Sequence, residues 1–437
     1  MRKWILQWIN MSLVAGLLFT GTARSQSWFN ANVTGATWQG NARATALGHV
    51  GTAEAFGVMN LFTNPALLSD GAGLRLEGSS NSMHRIESRS FPAIDQFGDV
   101  VTNNIYNITE SWQTLYKAGG VWSSNHFALG VGTAPYWSPF FRYSEDVRGN
   151  LSSSNYNRDP LVGSFQWDRS GEITETALGM STILPTLNFG FSVGFLSAND
   201  LNVTKGTIVI TPDDALDTDT TNVKTMSYDF KSAKMPIVRF GLSLDISNRL
   251  KLAIGYESGT KLVFENILEI PATTESLLPG FFISDQPRTI KYQMPDEITV
   301  GVNFQPTNVL RTIAYFEGEW KNWSRSAIFY SDYFGHLLDT WTYRGGVEHS
   351  LFNGLPVRAG FIYAGSPLIK SMAQTWITLG SGYTHGNLVV DVAMEYGMVD
   401  YSYPDLFVAA GQTHHGEETV HESTTKFALT LAYVFKR

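Results

Sequence analysis

The chain has 437 residues, a net charge of −8 and no cysteine. The lack of thiols excludes disulfides, cysteine-based catalysis and lipid attachment at a processed cysteine, and the mild acidity argues against a nucleic-acid partner. Charged residues make up 16% of the chain, against roughly 25% in a typical soluble domain, whereas aromatic residues reach 13%.

The first 25 residues have the pattern of a secretory signal peptide. Arg2 and Lys3 precede the apolar run MSLVAGLLFTGTA, which is too short and wrongly flanked for a permanent membrane span. Cleavage fits after Ala23 or after Ser25, and the sequence does not choose between them. No later apolar run is long enough to predict a transmembrane helix. We therefore expect an exported protein.

Residues 26–70 differ from everything that follows them. The stretch QGNARATALGHVGTAEAFGVMNLFTNPALLSD shows no alternation between apolar and polar residues, and its glycines and alanines allow close packing. We therefore treat residues 26–70 as a separate N-terminal element and residues 71–437 as the main domain.

Residues 71–437 alternate between large apolar and small or polar residues. LNFGFSVGFL, from Leu187, and PIVRFGLSLDI, from Pro236, are two examples, and such alternation predicts strands that face two different environments. Very short turns containing Asn, Gly, Pro or Ser join some strands. Other connections are predicted to be long and polar, at about 85–110, 137–170, 200–233, 264–288 and 400–424, with briefer ones near 331–335 and 364–371.

This arrangement predicts an all-β fold, a transmembrane antiparallel β-barrel of about fourteen strands. Short turns at one end, long loops at the other and an even strand number are typical of bacterial outer-membrane barrels. A soluble β-sandwich is the alternative. It explains the alternation but not the sorted loop lengths or the aromatic-rich outer faces.

The charged residues of these strands lie opposite the aromatic ones. Phe316 and Trp320 share one face of their strand, for example, and a Lys or Arg on the lipid face would cost about 2–4 kcal/mol. The charges are therefore predicted to face the lumen and to pair with one another, which makes a catalytic role for the carboxylates unnecessary. The predicted lumenal charges are Glu317, Glu319, Lys321, Arg344, Glu348, Asp391 and Glu395.

The last strand presents a row of large apolar residues every second position. This row is predicted to contact outer-membrane lipid. Phe435 also resembles the aromatic end-signal that the barrel-assembly machinery reads, although Lys436 and Arg437 follow it here. The row consists of Phe427, Leu429, Leu431, Tyr433 and Phe435.

Four segments resemble the outer-membrane family that transports long-chain fatty acids and other hydrophobic compounds, the FadL/TodX type. NPALL resembles the core of the family's N-terminal hatch, and residues 248–266, 294–326 and 357–367 resemble later strand segments in the same order. The acidic pair that often precedes the family's Asn-Pro-Ala motif is absent. The hatch residues carried over are Asn64, Pro65, Ala66, Leu67 and Leu68.

The resemblance implies a monomeric fourteen-stranded barrel with residues 26–70 as a hatch, or plug, inside the lumen. It implies passive uptake of hydrophobic small molecules, with neither a cofactor nor a catalytic site. In the family's scheme outer loops catch the ligand, a lumenal pocket beside the hatch receives it, and it leaves sideways through a kinked third strand.

HFALGVGTAPYWSP is the predicted third strand, and its inward residues are all small. Gly130, Gly132 and Pro135 are therefore the predicted lateral gate, because glycine relaxes a strand at a bend and proline removes a ladder donor. The alternative is that the small residues only make room for side chains of the hatch.

A second apolar cluster lies in SLLPGFFISD, outside the alternating pattern. An exposed cluster of this kind usually marks a binding or membrane-contact surface, so it is predicted to capture ligand. The alternative is a loop that folds its own small core onto the barrel rim. The cluster comprises Leu277, Leu278, Phe281, Phe282 and Ile283.

Three questions stay open at the level of sequence. Residues 414–422 contain histidine and glutamate, but their spacing matches no standard metal site. The ligand's identity is not specified. A barrel of the same fold that shuttles secreted protein cargo, as in type IX secretion, is the alternative function, and a non-specific aqueous porin is a third.

Overall fold

A computed structural model describes most of the chain beyond residue 39. The described residues are 40–69, 71–94, 97, 99–138, 140–148, 161–209, 224–227, 229–231, 236–271, 281–307, 311–326, 337–352, 354–403 and 418–436. The predicted signal peptide, residues 1–25, lies outside them. Within these ranges no helix is long and apolar enough to cross a membrane.

Within the described ranges, helices are few and short, and most other residues lie in strands. The described part of the chain begins with α1 (Ala42–Ala46) and two 3₁₀ helices (Gly57–Phe62 and Pro65–Leu67), and two more 3₁₀ turns are described later (Trp323–Arg325 and Lys370–Met372). The strands are β1 (Gly73–Ile94), β2 (Val100–Ser123), β3 (Phe127–Trp137), β4 (Phe141–Arg148), β5 (Leu161–Thr182), β6 (Leu187–Val209), β7 (Lys224–Ser227), β8 (Asp229–Lys231), β9 (Ile237–Ser247), β10 (Leu250–Glu257), β11 (Lys261–Pro271), β12 (Phe281–Gln293), β13 (Glu297–Phe304), β14 (Thr312–Lys321), β15 (Thr340–Ser350), β16 (Pro356–Ala364), β17 (Gln374–His385), β18 (Leu388–Tyr403) and β19 (Glu418–Lys436).

Fourteen of these strands close into an antiparallel barrel. The hydrogen-bonded ring runs β1-β2-β3-β5-β6-β9-β10-β13-β14-β15-β16-β17-β18-β19, and β19 pairs with β1 to close it. β4 continues the pairing of β3 along the same neighbour, β5, so β3 and β4 count as one barrel strand. β8, β11 and β12 form a separate small sheet. Closure gives each of the fourteen strands a paired neighbour on both sides, as a membrane-spanning sheet requires, and the predicted fourteen-stranded barrel is confirmed.

The outer face of the barrel is apolar, and β19 illustrates it. Phe427, Leu431, Tyr433 and Phe435 are exposed on this face, while Leu429 is covered by its neighbours. Between them Ala428, Thr430 and Ala432 point inward and are buried. The barrel therefore has the apolar exterior and polar interior of a membrane-embedded protein.

The predicted long loops are shorter than expected, because strands run into all five of them. β1 and β2 have 22 and 24 residues, about twice the 9–11 residues that cross a bilayer. The prediction was wrong here because ladder hydrogen bonds continue outside the bilayer, where alternation of apolar residues is no longer required. β4, β5, β6, β7, β18 and β19 enter three of the other predicted loops as extensions of the barrel sheet, and β8, β11 and β12 enter the loops at 200–233 and 264–288 as the separate small sheet.

The placement of the SLLPGFFISD cluster also needs correction. Phe281, Phe282 and Ile283 lie within β12 and pair with Pro271, Ile270 and Glu269 of β11. The backbone there is a strand and not a loop outside the strand pattern. Leu277 and Leu278 lie outside the described residues, as does the predicted brief connection near 331–335, while residues 364–371 include the start of a 3₁₀ turn.

A closed ladder of this kind resists detergent at room temperature, because it opens only by cooperative loss of many backbone hydrogen bonds. We expect the unboiled protein to migrate differently from the boiled protein on a denaturing gel. A circular-dichroism scan of the same samples should show that the shift coincides with loss of β-structure. Equal mobility before and after boiling would contradict a closed barrel.

Candidate functional site

Residues 40–69, called the N-terminal segment below, lie inside the barrel. α1 has five residues, so it depends on its packing against β17 and β18 rather than on its own helical stability. The Asn41 side chain caps it by accepting a hydrogen bond from the Ala44 amide. Ala42, Leu47 and Asn60 are fully buried. The segment is therefore packed like a protein core against the inner barrel wall.

The Asn-Pro-Ala motif packs against the backbone of two glycines in the barrel wall. Asn64 Oδ1 accepts a hydrogen bond from the Ala66 amide at 3.0 Å, and its Nδ2 donates to the Thr52 carbonyl at 2.7 Å. A Cβ atom on Gly190 would lie 2.0 Å from the Pro65 carbonyl carbon, and one on Gly241 would lie 1.8 Å from Asn64 Oδ1. These two glycines pair across β6 and β9, so they form the seat of the motif. Leu67 and Leu68 are buried beside it.

Backbone amides of the segment are bound by a carboxylate of the wall. Glu317 Oε2 accepts hydrogen bonds from the amides of Gly51 and Thr52, at 2.9 and 2.8 Å. Arg344 bridges Glu317 and Glu319, at 2.7 and 2.5 Å. A charged acceptor makes such bonds stronger than neutral ones, and this carboxylate fixes the segment against β14.

An ion pair and a histidine–carboxylate contact tie the segment to two further strands, β15 and β18. Arg43 binds both oxygens of Glu348, at 2.9 and 3.0 Å, and His49 Nε2 lies 2.5 Å from Glu395. Asp391 accepts a hydrogen bond from Arg358 at 2.6 Å, and Arg358 also donates one to Glu348.

The segment's own carboxylate, Glu54, is partly buried, with its side chain 19% exposed. Burial raises the pKa of the Glu54 carboxyl, and the nearby Arg43 guanidinium acts in the opposite direction. Three of the predicted lumenal charges, Glu317, Glu348 and Glu395, therefore contact the segment.

The third barrel strand breaks its pairing with β2 part-way up the wall. The described register between β2 and β3 ends at Ala118 and Thr133, about 20 Å along the strand from the short turn before Phe127. β3 continues on β5 with a bulge between Pro135 and Trp137. Beyond this point the third barrel strand therefore keeps its pairing with β5 and loses its pairing with β2.

A side-chain bridge crosses from β2 to the residue after the bulge. Gln113 Nε2 donates to Ser138 Oγ at 3.0 Å, and Ser138 Oγ donates to the Gly171 carbonyl at 3.0 Å. Gly171 has a positive φ of 102°, which glycine adopts without strain. Gln113 and Ser138 are both buried, so the bridge closes the inner side of this region.

The small residues of β3 are in contact with the N-terminal segment. Phe127, Leu129 and Val131 face outward and are exposed. A Cβ on Gly132 would lie 3.0 Å from Val58, and one on Gly130 would lie 3.2 Å from Leu61. Small residues at these positions therefore make room for the segment, and this holds whether or not they also form a lateral gate.

A cavity of about 190 Å³ lies beside the bulge and above the segment. Phe62 of the segment and Ala134, Pro135 and Tyr136 of β3 form one side of it. The remaining lining residues come from β5, the neighbour of β3, from β9, β10 and β13–β15, and from nearby connections: Glu175, Arg239, Glu257, Met294, Pro295, Glu297, Glu319, Lys321, Trp323, Thr340, Thr342, Gly365 and Pro367.

Sequence reasoning missed much of this cavity. Only Glu319, Lys321 and Pro135 were among its predicted site residues. The signal for Arg239 was present, since it alternates with outward Val238 and Phe240 in β9. No signal in the sequence places Arg239 next to Glu175, 64 residues earlier.

The histidine-rich stretch 414–422 falls mostly outside the described residues. Its described part, residues 418–422, belongs to β19, where His421 pairs with Asp400 and Glu422 with Arg85. Within the described ranges no group of three or more His, Cys, Asp or Glu residues has a geometry that could hold a metal.

The closed ladder, apolar exterior and charged interior define a transmembrane β-barrel of the outer-membrane type. No protein-family model and no curated protein matches the chain. Solved structures do match, and their fold is the same. The chain therefore has the fold of the FadL/TodX-type transporters.

The similar structures cover nearly the whole chain. The Pseudomonas putida toluene transporter TodX aligns with 92% of this chain and 99% of its own, at 14% identity and a TM-score of 0.57. A Pseudomonas aeruginosa FadL homologue aligns with 91% of this chain and 99% of its own, at 14% identity and a TM-score of 0.59. The Ralstonia pickettii toluene transporter TbuX aligns with 93% of this chain and 100% of its own, at 16% identity and a TM-score of 0.51.

Proposed function

We propose that this protein is a bacterial outer-membrane transporter for the passive uptake of hydrophobic small molecules. The observation that carries the proposal is the cavity beside the point where β3 leaves β2. Its volume of about 190 Å³ exceeds the roughly 150 Å³ that holds a benzene molecule in other proteins. The names of the similar structures, toluene transporters and a FadL homologue, support the same class of ligand.

The proposed route has three steps. Ligand is captured near residues 277–283, enters the cavity above the N-terminal segment, and leaves sideways between β2 and the β3 bulge. An apolar solute gains about 0.8 kcal/mol for each CH₂ group removed from water, so a sideways exit into lipid avoids an aqueous channel. The N-terminal segment is the proposed plug that denies the aqueous route, because it fills the lumen beneath the cavity.

Transport by this route requires no covalent step, and the similar structures include two toluene transporters and a monoaromatic hydrocarbon channel. We therefore assign the protein no catalytic role. Its proposed partners are the ligand, the surrounding outer-membrane lipid and, during biogenesis, the barrel-assembly machinery. The chain is proposed to act as a monomer, since one barrel contains both the cavity and the exit.

Filling the cavity tests this proposal. Thr342 lines the cavity from β15, while its neighbour Tyr343 faces outward. Thr342→Trp should abolish the accumulation of labelled toluene by cells that express the protein, and Tyr343→Trp, the matched control, should leave it unchanged. Both variants should show the gel shift on boiling.

Two results would contradict the proposal. One is toluene accumulation that does not depend on expression of the protein. The other is unchanged accumulation in a correctly folded Thr342→Trp variant. Native mass spectrometry of the detergent-purified protein would show independently which small hydrophobe copurifies with it.

A further inference from the structure

The wall of the cavity holds more carboxylate than cationic side chains. Four carboxylates line it, and two cations, Arg239 and Lys321, face them. Each cation is shared between two of these carboxylates. A ligand that enters this space therefore meets more carboxylates than cations, in a region where water screens charge poorly.

Each nitrogen of the Arg239 guanidinium already donates to a carboxylate. Its Nε donates to Glu257 at 2.7 Å, and its Nη1 and Nη2 donate to the two oxygens of Glu175 at 2.5 and 2.9 Å. The Arg239 side chain is 2% exposed. To reach Arg239, a ligand carboxylate would have to break a buried, bidentate ion pair, and such pairs are among the strongest in proteins.

Lys321 is held in the same way between Glu297 and Glu319, at 3.1 Å from each. Glu319 has a second cation, Arg344, at 2.5 Å, whereas the described contacts of Glu297 are Lys321 and the Thr299 hydroxyl. A ligand carboxylate at Lys321 would be the third carboxylate around one ammonium group.

The carboxylates that reach the cavity surface are Glu257 and Glu297. Their side chains are 14% and 13% exposed, while Glu175 and Glu319 are 2% exposed. Both are thus open to a hydrogen-bond donor from the ligand. Phe62, Pro135, Met294 and Trp323 supply apolar contact on the same cavity, and an aromatic face also attracts a cation.

From this arrangement we infer that the cavity selects its ligand by head-group charge. It takes an apolar molecule that carries a protonated amine, with the amine at Glu257 and Glu297, and it rejects the equivalent carboxylate. This inference rests on the proposed function, since it names the ligand class of the same cavity. The neutral alcohol of equal size falls between the two.

A matched ligand series tests the inference on the detergent-purified full-length protein. The probes are 2-phenylethylamine, 2-phenylethanol and phenylacetate, which share one aromatic ring and nearly equal size. Calorimetric titration at neutral pH should give the tightest binding for the amine. Phenylacetate should bind at least about tenfold more weakly, because like charges repel strongly where the effective dielectric constant is low.

One carboxylate variant links the selectivity to the cavity. Glu297→Gln should reduce the ratio of amine to carboxylate affinity several-fold. Asp245→Asn removes a carboxylate at the short-turn end of β9, where Asp245 is 3.6 Å from Lys251 and 37% exposed, and it should leave that ratio unchanged. If Glu297→Gln lacks the gel shift on boiling, the variant is not folded. The inference is then tested only by the three ligands on the wild-type protein.

The possible outcomes separate the inference from the proposed function. Phenylacetate binding as tightly as the amine overturns the inference, as does an unchanged ratio in folded Glu297→Gln. Failure of all three probes to bind, with expression-dependent toluene uptake intact, also overturns the inference but leaves the transport proposal standing. If toluene uptake is also independent of the protein, both are wrong.

Discussion

A chain that lacks residues 40–68 is expected to form a barrel that conducts ions several times better than the full-length protein. The fourteen-stranded ladder closes through strand–strand hydrogen bonds alone, so it does not need the N-terminal segment to satisfy its backbone. The charges that the segment leaves behind, such as Glu317 and Glu348, become hydrated in a wider lumen and no longer need buried partners. Single-channel recording in planar bilayers measures the change.

A pair of alanine variants tests the same idea without a deletion. A Cβ on Gly190 would lie 2.0 Å from Pro65, whereas one on Gly255, which also faces the segment, would lie 3.5 Å from the nearest atom, the Thr63 carbonyl oxygen. Gly190→Ala should therefore displace the Asn-Pro-Ala motif at a cost of about 1–3 kcal/mol and raise conductance, while Gly255→Ala should not. Equal conductance of the deletion variant and the full-length protein would show that the segment is no plug.

The fold could be predicted because alternation survives in nearly every strand. In β14, for example, outward Phe316 alternates with inward Glu317, and only a wall between lipid and a polar lumen requires that order over so many strands. The strand ends could not be predicted. Outside the bilayer the ladder of β1 and β2 holds Ser88 against Ile108 and Arg89 against Asn107, where neither face has to be apolar.

Only some contacts of the candidate site could be predicted from the sequence, and the physical reason differs from the one that applies to the strand ends. Alternation shows that Glu348 and Glu395 point inward, but their partners Arg43 and His49 belong to a segment without periodicity. Contacts between residues roughly 300 positions apart in sequence follow from the packing of the segment in the lumen. The contact of the Asn-Pro-Ala motif with Gly190 and Gly241 could not be predicted either, because it depends on the pairing of β6 with β9.

The geometry of β3 changes how the proposed lateral gate must be tested. A valine at Gly132 would oppose an inward bend, but its Cβ would also press on Val58 of the N-terminal segment at 3.0 Å. Loss of uptake in that variant would follow from a blocked gate or from a displaced segment. A useful test must restrain β2 against β3 without adding bulk toward the segment.

A cysteine pair at Gln113 and Ser138 should abolish hydrophobe uptake when it is cross-linked and restore it when it is reduced. These side chains meet at 3.0 Å across the break between β2 and the β3 bulge, so a short reducible cross-linker, which forms a disulfide with each of the two cysteines, can join them. The chain has no other cysteine, which makes the cross-link unambiguous. Uptake of labelled toluene by cells is measured before and after reduction on the same preparation.

The matched control moves the cross-link to the side of β2 that is already paired. Met83 of β1 lies directly opposite Gln113, so the pair Met83→Cys and Gln113→Cys carries the same change at Gln113. Joining β1 to β2 restrains nothing that has to open, and cross-linking of this pair should leave uptake unaltered. If the cross-linked Gln113→Cys, Ser138→Cys protein still transports toluene at the rate of the reduced protein, ligand does not leave between β2 and β3. If both cross-linked pairs lose uptake, the loss belongs to cross-linking in general and the lateral route has no support. Only selective, reversible loss at the β2–β3 break assigns the exit to the third strand.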